Sequence, residues 1–493
     1  MFNFKVIVNI LGLLIGINGI AILLSLPFAL YFKGNDVQGI LLSGIGAIVL
    51  GGIIYLLSRK SGKAGLKKRD GYVIVTLGWL VMTTVGALPY VLSGAIPNFT
   101  DAFFESMSGF TTTGATILGE HIEELPKGLH FWRAMTHWIG GMGIIVLAIA
   151  ILPLLGIGGM QLFAAEVPGP TPDKLTPRIK ETAKRLWIIY LGLTLLELVF
   201  LWVGGMSFYE SLCHSMATLS TGGFSTRQAS VGAFSPYHQY VITLFMFLAG
   251  TNFALTYAAI RGKPIQLWKN EEFRLYTYTT LLLVLIVTAV IYFGQGILYS
   301  DHTYTFEESF RHGSFQVLAI MTTTGFGTEA FTNWGQFLVL LFFVLMFSGA
   351  CAGSTSGGMK LVRFLVVFKN SYLELKRQIH PKAILPVRLN GKAIQQDVVS
   401  KILAFFLIFV ILFVAGSFIM TLFGLDFDTA IGSTIATLGN IGPGIGNVGP
   451  QDSINFARIP AGGKWFLSFL MLLGRLELFT VLMLFSPFFW TER

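Results

Sequence analysis

The sequence predicts an all-α polytopic membrane protein. An extra N-terminal pair of spans precedes four pseudo-symmetric units of span, short pore helix, filter loop and span around one pore. Three observations carry this expectation. The chain of 493 residues is 54% hydrophobic and only 12% charged, too little charge to cover a soluble protein of that length. Apolar runs of the ~20 residues needed to cross a bilayer recur from end to end. A polar phrase of hydroxyl and glycine residues interrupts them four times: "TTTGAT" from Thr111, "STGGFS" from Ser220, "TTTGFG" from Thr322 and "GNIGPG" from Gly439.

Ten apolar spans are expected near 6–30, 39–57, 72–92, 131–155, 186–205, 237–260, 275–293, 337–368, 402–423 and 465–489. The first has a long apolar core with no small-residue cleavage site after it, so it reads as a retained span and not a signal peptide. Basic residues collect in alternate loops. One holds Arg59, Lys60, Lys63, Lys67, Lys68 and Arg69; a second Lys174, Arg178, Lys180, Lys184 and Arg185; a third Arg261, Lys263, Lys269 and Arg274. The longest, 360–392, holds Lys360, Arg363, Lys369, Lys376, Arg377, Lys382, Arg388 and Lys392. The positive-inside rule makes these loops and both termini cytoplasmic in a multi-pass protein of the cell (inner) membrane. The same placement explains the net charge of +9 without a nucleic-acid partner and leaves membrane lipid as the surrounding partner.

The opposite loops carry Glu120, Glu123, Glu124, Asp301, Glu307, Glu308, Asp426, Asp428 and Asp452, and all four polar phrases fall on that side. Before each phrase stands an amphiphilic stretch too short to cross, such as "DAFFESMSGF" from Asp101 and "YESLCHSMATL" from Tyr209. The expected divisions are therefore an N-terminal hairpin over 1–70, then repeats over 71–166, 167–262, 263–392 and 393–493. Repeats of one orientation surround an axis along the membrane normal.

Backbone that is not hydrogen-bonded cannot face hydrocarbon, so a re-entrant loop lines a cavity or is buried in protein. Four such loops present a ring of carbonyl oxygens that can replace the water around a cation, as TVGYG loops do in potassium channels. Glycine supplies the positive φ such a turn needs, and we align Gly114, Gly222, Gly325 and Gly442 at that position. The preceding pairs Thr112-Thr113, Ser220-Thr221, Thr323-Thr324 and Asn440-Ile441 add hard oxygen ligands. One copy of the phrase is an ordinary turn; four copies at matching positions are a candidate filter, and their differences predict an asymmetric one. Asp101, Glu210, Glu307 or Glu308, and Asp428 open the short helices. Capping and dipole compensation account for them first, concentration of cations at the outer mouth second.

The span from residue 337 is interrupted by "SGACAGSTSGGMK", from Ser348 to Lys360. Gly349, Gly353, Gly357 and Gly358 each disfavour a helix interior by about 1 kcal/mol relative to alanine, so the helix should break into a loop facing the pore. Close helix packing is the competing account of these glycines. A phosphate-binding loop is excluded because Met359 stands where the lysine is needed. Arg475 falls within the last span, where an ionisable group implies function. It is expected to face the cavity and hold carbonyls of the broken helix, or else to pair with Glu197; Glu477, two positions on, points elsewhere.

Cys213 and Cys351 lack ligand spacing and read as small core residues. His137 and His214 read as packed side chains. No catalytic triad, paired aspartates or His/Glu metal constellation sits at membrane depth, which argues against an intramembrane enzyme. No organic cofactor is expected in this chain.

Longer phrases carry a resemblance: "FFESMSGFTTTGAT" from Phe103, "WIGGMGIIVLAIAILPLLGIGGMQL" from Trp138, "AEVPGPTPDKLTPRI" from Ala165, "STGGFST" from Ser220, "NIGPGIG" from Asn440 and "GRLELFT" from Gly474. Over almost its full length the chain resembles the Trk-type potassium uptake family, related to KtrB and plant HKT proteins. Its extra first pair of spans is similar to the TrkH and TrkG branch and unlike KtrB. The resemblance implies potassium as the transported ion, a homodimer with one pore per protomer, and a cytosolic nucleotide-binding ring of the TrkA type as regulator. It also implies that the segment containing Gly349, Gly353, Gly357, Gly358 and Lys360 is an intramembrane gating loop below the filter. A sodium- or proton-coupled symporter is the other transport reading, and no chain of intramembrane carboxylates supports it.

Overall fold

The computed structural model describes residues 2–58, 68–143, 179–294, 303–450 and 456–491. The fourth expected span beyond residue 143, Lys174 and Arg178, the basic residues of 59–67, the phrase from Ala165, and Asp301 and Asp452 lie outside them. Among the described residues, six helices are long and apolar enough to span a bilayer: Phe4–Tyr31, Val37–Ser58, Arg69–Leu92, Lys184–Val203, Glu271–Phe293 and Gln396–Leu422. Two bent pairs bring the number to as many as eight.

Helix Phe4–Leu23 packs along Val37–Ser58, and both pack on Lys68–Leu92. Small residues set the closeness of the first pair: a Cβ at Gly19 would stand 2.6 Å from the Gly44 carbonyl oxygen, and one at Gly51 2.6 Å from that of Gly12. The connection between the first two of these helices reaches helix Lys127–Gly141, where Asp36 Oδ2 accepts from Leu129 N–H (3.0 Å) in the opening turn.

Two expected spans are not straight. Residues 237–260 form two helices, Pro236–Ala249 and Phe253–Ile260, bent by 104°. Asn252 caps the second, its Oδ1 accepting from Ala254 N–H (2.8 Å) and Leu255 N–H (3.2 Å). The last span ends as a helix at Arg475 and turns by 112° into Phe479–Phe485. Glu477 and Leu478 at that corner both hold left-handed backbone, φ 56° and 55°, a conformation costing such residues ~1–3 kcal/mol each. Arg475 is therefore a helix terminus and not a mid-span residue.

The expected break near residue 348 separates helix Gln336–Leu345 from Leu361–Ile379. The intervening loop is closed on itself by Gly349 N–H to Met359 O (2.7 Å) and Leu361 N–H to Ala350 O (3.1 Å). Beyond it, strands Arg388–Leu389 and Lys392–Ala393 pair across Asn390-Gly391, both at positive φ. This small hairpin departs from an all-α chain, as does a single β-bridge between Ser348 and Met359, and Asn-Gly is the sequence signal for the hairpin.

Candidate ion pathway

Four short helices, Phe99–Phe110, Phe208–Leu219, Phe306–Met321 and Phe427–Leu438, each lead into one of the polar phrases. Their N-caps are Asn98, Ser207, Thr305 and Asp426, whose side chains accept from Thr100, Glu210, Glu308 and Thr429 N–H respectively. The acidic residues expected to open the helices thus sit within the first turn, just after the caps. Most are neutralised locally. Asp101 pairs with Lys464 (2.5 Å), Glu210 with Arg227 (2.7 Å) and Glu307 with Arg311 (2.8 Å). Glu308 completes a capping box with Thr305, whose backbone N–H and hydroxyl hold its carboxyl below the usual range.

At the other end, all four helices stop in the same way. Thr111, Ser220, Thr322 and Gly439 are the C-caps, and Thr112, Thr221, Thr323 and Asn440 follow with φ between 51° and 58°. In the first, second and fourth copies the next N–H reaches back five residues: Thr113 to Ser108 O, Gly222 to Ala217 O and Ile441 to Ala436 O, each 2.9 Å. β-Branched threonine is a poor residue for left-handed backbone. Its use three times over is an observed strain of the kind concentrated at functional positions.

The next turn corrects the sequence alignment. Positive φ occurs at Gly114 (81°), Gly223 (80°), Gly325 (73°) and Gly442 (100°), and not at Gly222. The second phrase is therefore one residue out of the expected register, and its preceding pair is Thr221-Gly222, not Ser220-Thr221. Ser220 belongs to the helix end, its hydroxyl donating to Met216 O (2.7 Å). The cause is visible locally. The helix stops at Leu219 and the left-handed step falls on Thr221, so the first of two adjacent glycines is spent before the turn.

These glycines also close a ring. A Cβ on Gly114 would fall within 3.0 Å of Gly222 O, on Gly223 within 3.0 Å of Thr324 O, and on Gly325 within 3.0 Å of Ile441 O. A Cβ on Gly442 would stand 2.7 Å from Thr113 O. Each loop's glycine is seated on the carbonyl of the next, in the order one, two, three, four and back to one. The four carbonyls belong to the residue before each positive-φ glycine, so equivalent oxygens recur around a closed cycle. Behind them Thr111 and Thr113 share a hydroxyl hydrogen bond (2.8 Å), as do Thr322 and Thr324 (2.7 Å), and Asn440 Nδ2 donates to Thr113 Oγ1 (3.0 Å).

A buried ion pair braces the first two loops. Arg133 Nε donates to Glu105 Oε1 (2.8 Å), and the same carboxylate accepts from Thr116 Oγ1 and Ile117 N–H. The guanidinium also reaches Ser225 O (3.2 Å) and lies 3.9 Å over the Phe224 ring. First and second loops are joined through one side chain, a contact the sequence did not disclose.

The interrupted-helix loop lies directly against the ring. Gly357 N–H donates to Thr323 Oγ1 (2.6 Å), and Thr355 Oγ1 to Leu219 O (2.9 Å). A Cβ on Gly357 would stand 2.6 Å from Gly439 O, while one on Gly349 would strike Gly357 O. Gly353 and Gly358 hold φ 75° and 63°. Packing thus requires glycine at 349 and 357, and backbone conformation requires it at 353 and 358. Lys360 is buried and donates from Nζ to Ser356 O and to its hydroxyl (3.0 Å).

Arg475 closes this layer. Its Nη1 donates to Thr355 O (2.8 Å), and Nη2 to Gly140 O (2.6 Å) and Gly141 O (3.0 Å). Among the described residues no ion pair joins Arg475 to Glu197, whose carboxyl lies beside Thr218, so the alternative pairing does not occur. Glu477 meets Arg363 instead. Sequence reasoning missed Asn252 and Glu272. Asn252 Nδ2 donates to Ala352 O (2.7 Å), and Glu272 Oε1 accepts from Ala352 N–H (2.7 Å) and Val362 N–H (3.0 Å). The polar break at 250–252 in an otherwise apolar run was the available signal.

Comparison with known proteins fits this geometry. The family model for TrkH, a cation transport protein, matches residues 37–491. The chain is 41% identical to the Trk system potassium uptake protein TrkH of Salmonella typhimurium over 99% of this chain and 100% of that protein. It is 34% identical to the Trk system potassium uptake protein TrkG of Escherichia coli, covering 99% and 98% respectively. The crystal structure of the potassium transporter TrkH from Vibrio parahaemolyticus superposes with a TM-score of 0.87 at 37% identity, over 99% of this chain and 100% of that one.

Proposed function

The chain belongs to the TrkH family of cation transport proteins, a transport family and not an enzyme family, and on that premise we propose that it takes up potassium through the ring formed by its four re-entrant loops. The observation that carries this reading is the closed order of glycine on carbonyl, Gly114 to Gly222, Gly223 to Thr324, Gly325 to Ile441 and Gly442 to Thr113. Such a ring offers one layer of carbonyl oxygens to a cation that has shed its water. Thr112, Thr221, Thr323 and Asn440 begin the layer below it. The four short helices end at the ring, so their carbonyl dipoles favour positive charge there.

Below the ring, the loop holding Gly349, Gly353, Gly357, Gly358 and Lys360 is the obstruction. Arg475 ties it to the carbonyls of Gly140 and Gly141 and adds a fixed positive charge to the path. Opening requires those bonds to release. A homodimer in the cell's inner membrane, with cytoplasmic termini and a TrkA-type nucleotide-binding ring acting on the cytoplasmic side, completes the proposal, following the resemblance to the Trk-type uptake family and the placement of basic loops.

The test is cation flux into liposomes containing the purified protein, comparing potassium, rubidium, sodium and lithium with and without a proton gradient. Uptake of potassium and rubidium in preference to sodium and lithium, independent of the proton gradient, is expected. Equal flux of all four sinks the selectivity reading, and flux only with an imposed gradient replaces the channel with a coupled carrier.

A further inference from the structure

The four loops differ at the residue whose carbonyl completes the ring. Three carry a side chain there, Thr113, Thr324 and Ile441, and the second carries none, Gly222. Backbone conformation does not demand glycine at this position, because φ at 222 is not positive. What excludes a side chain is a neighbour. An ideal Cβ on Gly222 would lie inside 3.0 Å of three His137 ring atoms, with Nδ1 at 2.8 Å.

His137 belongs to helix Lys127–Gly141 of the first repeat and is fully buried. Its Nδ1–H donates to Gly109 O (2.7 Å) at the end of the first short helix, and its ring stacks on Phe224 with centroids 4.0 Å apart. The imidazole is thus held on both sides: by a carbonyl of repeat one and by the aromatic residue that follows Gly223. In the fourth repeat, Gly474 seats on Leu438 O as Gly140 seats on Phe110 O, which places Met471 where repeat one has His137. The loop that follows repeat four in the ring is the first, and it keeps its own side chain, Thr113.

We propose that His137 serves as the missing side chain of the second filter loop, a positioning residue that sets where the Gly222 carbonyl stands and so contributes to ion selectivity. The inference rests on the filter reading. A methyl or hydroxyl attached to a loop moves with it. A ring supplied from another repeat and tied to Gly109 instead fixes the second carbonyl relative to the first short helix.

The consequence is a compensating pair. With the ring removed, position 222 has room for a side chain that its backbone conformation already permits. His137→Ala should lower the potassium-over-sodium permeability ratio by about 3- to 10-fold, the factor carried by one hydrogen bond of ordinary strength. Gly222→Thr alone should lower it further, since the new side chain meets the ring. The double variant His137→Ala/Gly222→Thr should recover to within about twofold of the parent, far from the product of the single effects.

The experiment measures rubidium and sodium flux per folded protein in liposomes for these three variants and for Gly325→Ala. If the single effects multiply in the double variant, or if His137→Ala lowers yield but leaves the ratio at the parental value, the residue is ordinary packing and the proposal fails. If Gly325→Ala also leaves the ratio unchanged, the filter reading itself has failed, a distinct result. Should His137→Ala not reach the membrane, His137→Asn keeps the donor to Gly109 while vacating the outer ring, and the same comparison with Gly222→Ala decides.

Discussion

Placing a methyl group on Gly325 or on Gly442 is the most direct probe of the ring, and the geometry ranks the two. Both glycines have positive φ, 73° and 100°, so alanine costs each backbone ~1–2 kcal/mol. The steric part differs. At Gly442 the new Cβ would stand 2.7 Å from Thr113 O and can reach ordinary contact with a shift of under ~1 Å. At Gly325 it would fall deeper into Ile441 O, the closest approach of the four, and it also meets Pro443 Cδ at 2.8 Å. There the carbonyl must retreat by more than ~1 Å, against a rigid proline. Gly325→Ala should therefore lower the potassium-over-sodium ratio by about tenfold, equal to ~1.4 kcal/mol of discrimination, and Gly442→Ala by about threefold, roughly half as much. The assay is competitive rubidium and sodium uptake into liposomes, normalised to monodisperse protein. Parental ratios in both variants would remove these glycines from the filter. A larger loss at Gly442 than at Gly325 would refute the steric ranking.

Arg475→Ala should raise resting rubidium flux at least tenfold, a barrier change of ~1.4 kcal/mol, with Arg475→Lys between it and the parent because charge remains but the fork that holds several carbonyls is lost; parental flux at normal yield would exclude a barrier role. Arg133→Ala should lower thermal stability by ~3–5 kcal/mol by leaving the Glu105 carboxylate buried and unpaired, and an unchanged melting temperature would show the pair to be dispensable. The Glu308 carboxyl, held below its usual range by the Thr305 N–H and hydroxyl, contributes stability that is present above the ordinary glutamate value and lost as pH falls through its lowered one. The melting temperature should thus decline in acid, below pH ~4, and Glu308→Gln should flatten that decline; identical acid profiles would count against the capping box.

Sequence reading located the ring loops because each is a polar interruption in an apolar background, a contrast that hydropathy registers directly. It placed Gly114, Gly325 and Gly442 because each phrase there offers a single glycine after two larger residues. It misplaced the second because "GG" offers two, and only the helix end at Leu219 with left-handed Thr221 decides between Gly222 and Gly223. The bends at 250–252 and 476–478 escaped for the opposite reason. Both halves of each bent span are apolar, and an average over ~20 residues does not register direction. Arg475 was found as a charge in an apolar run, but its partners on Thr355, Gly140 and Gly141 are carbonyls more than a hundred residues away. Residue types carry no information about backbone acceptors of that kind.

The hydrogen bond from Gly357 to Thr323 Oγ1 joins the loop below the ring to a residue of the ring. Two elements that share a bond share a free energy. If displacing the loop costs Thr323 its partner, then an ion whose presence steadies Thr323 must alter the cost of displacing the loop, and by the same amount in the reverse direction. On the proposed function, reciprocity of this kind would make permeant-ion concentration a variable of opening, so that potassium and sodium gradients of equal size would give different open fractions in one and the same protein.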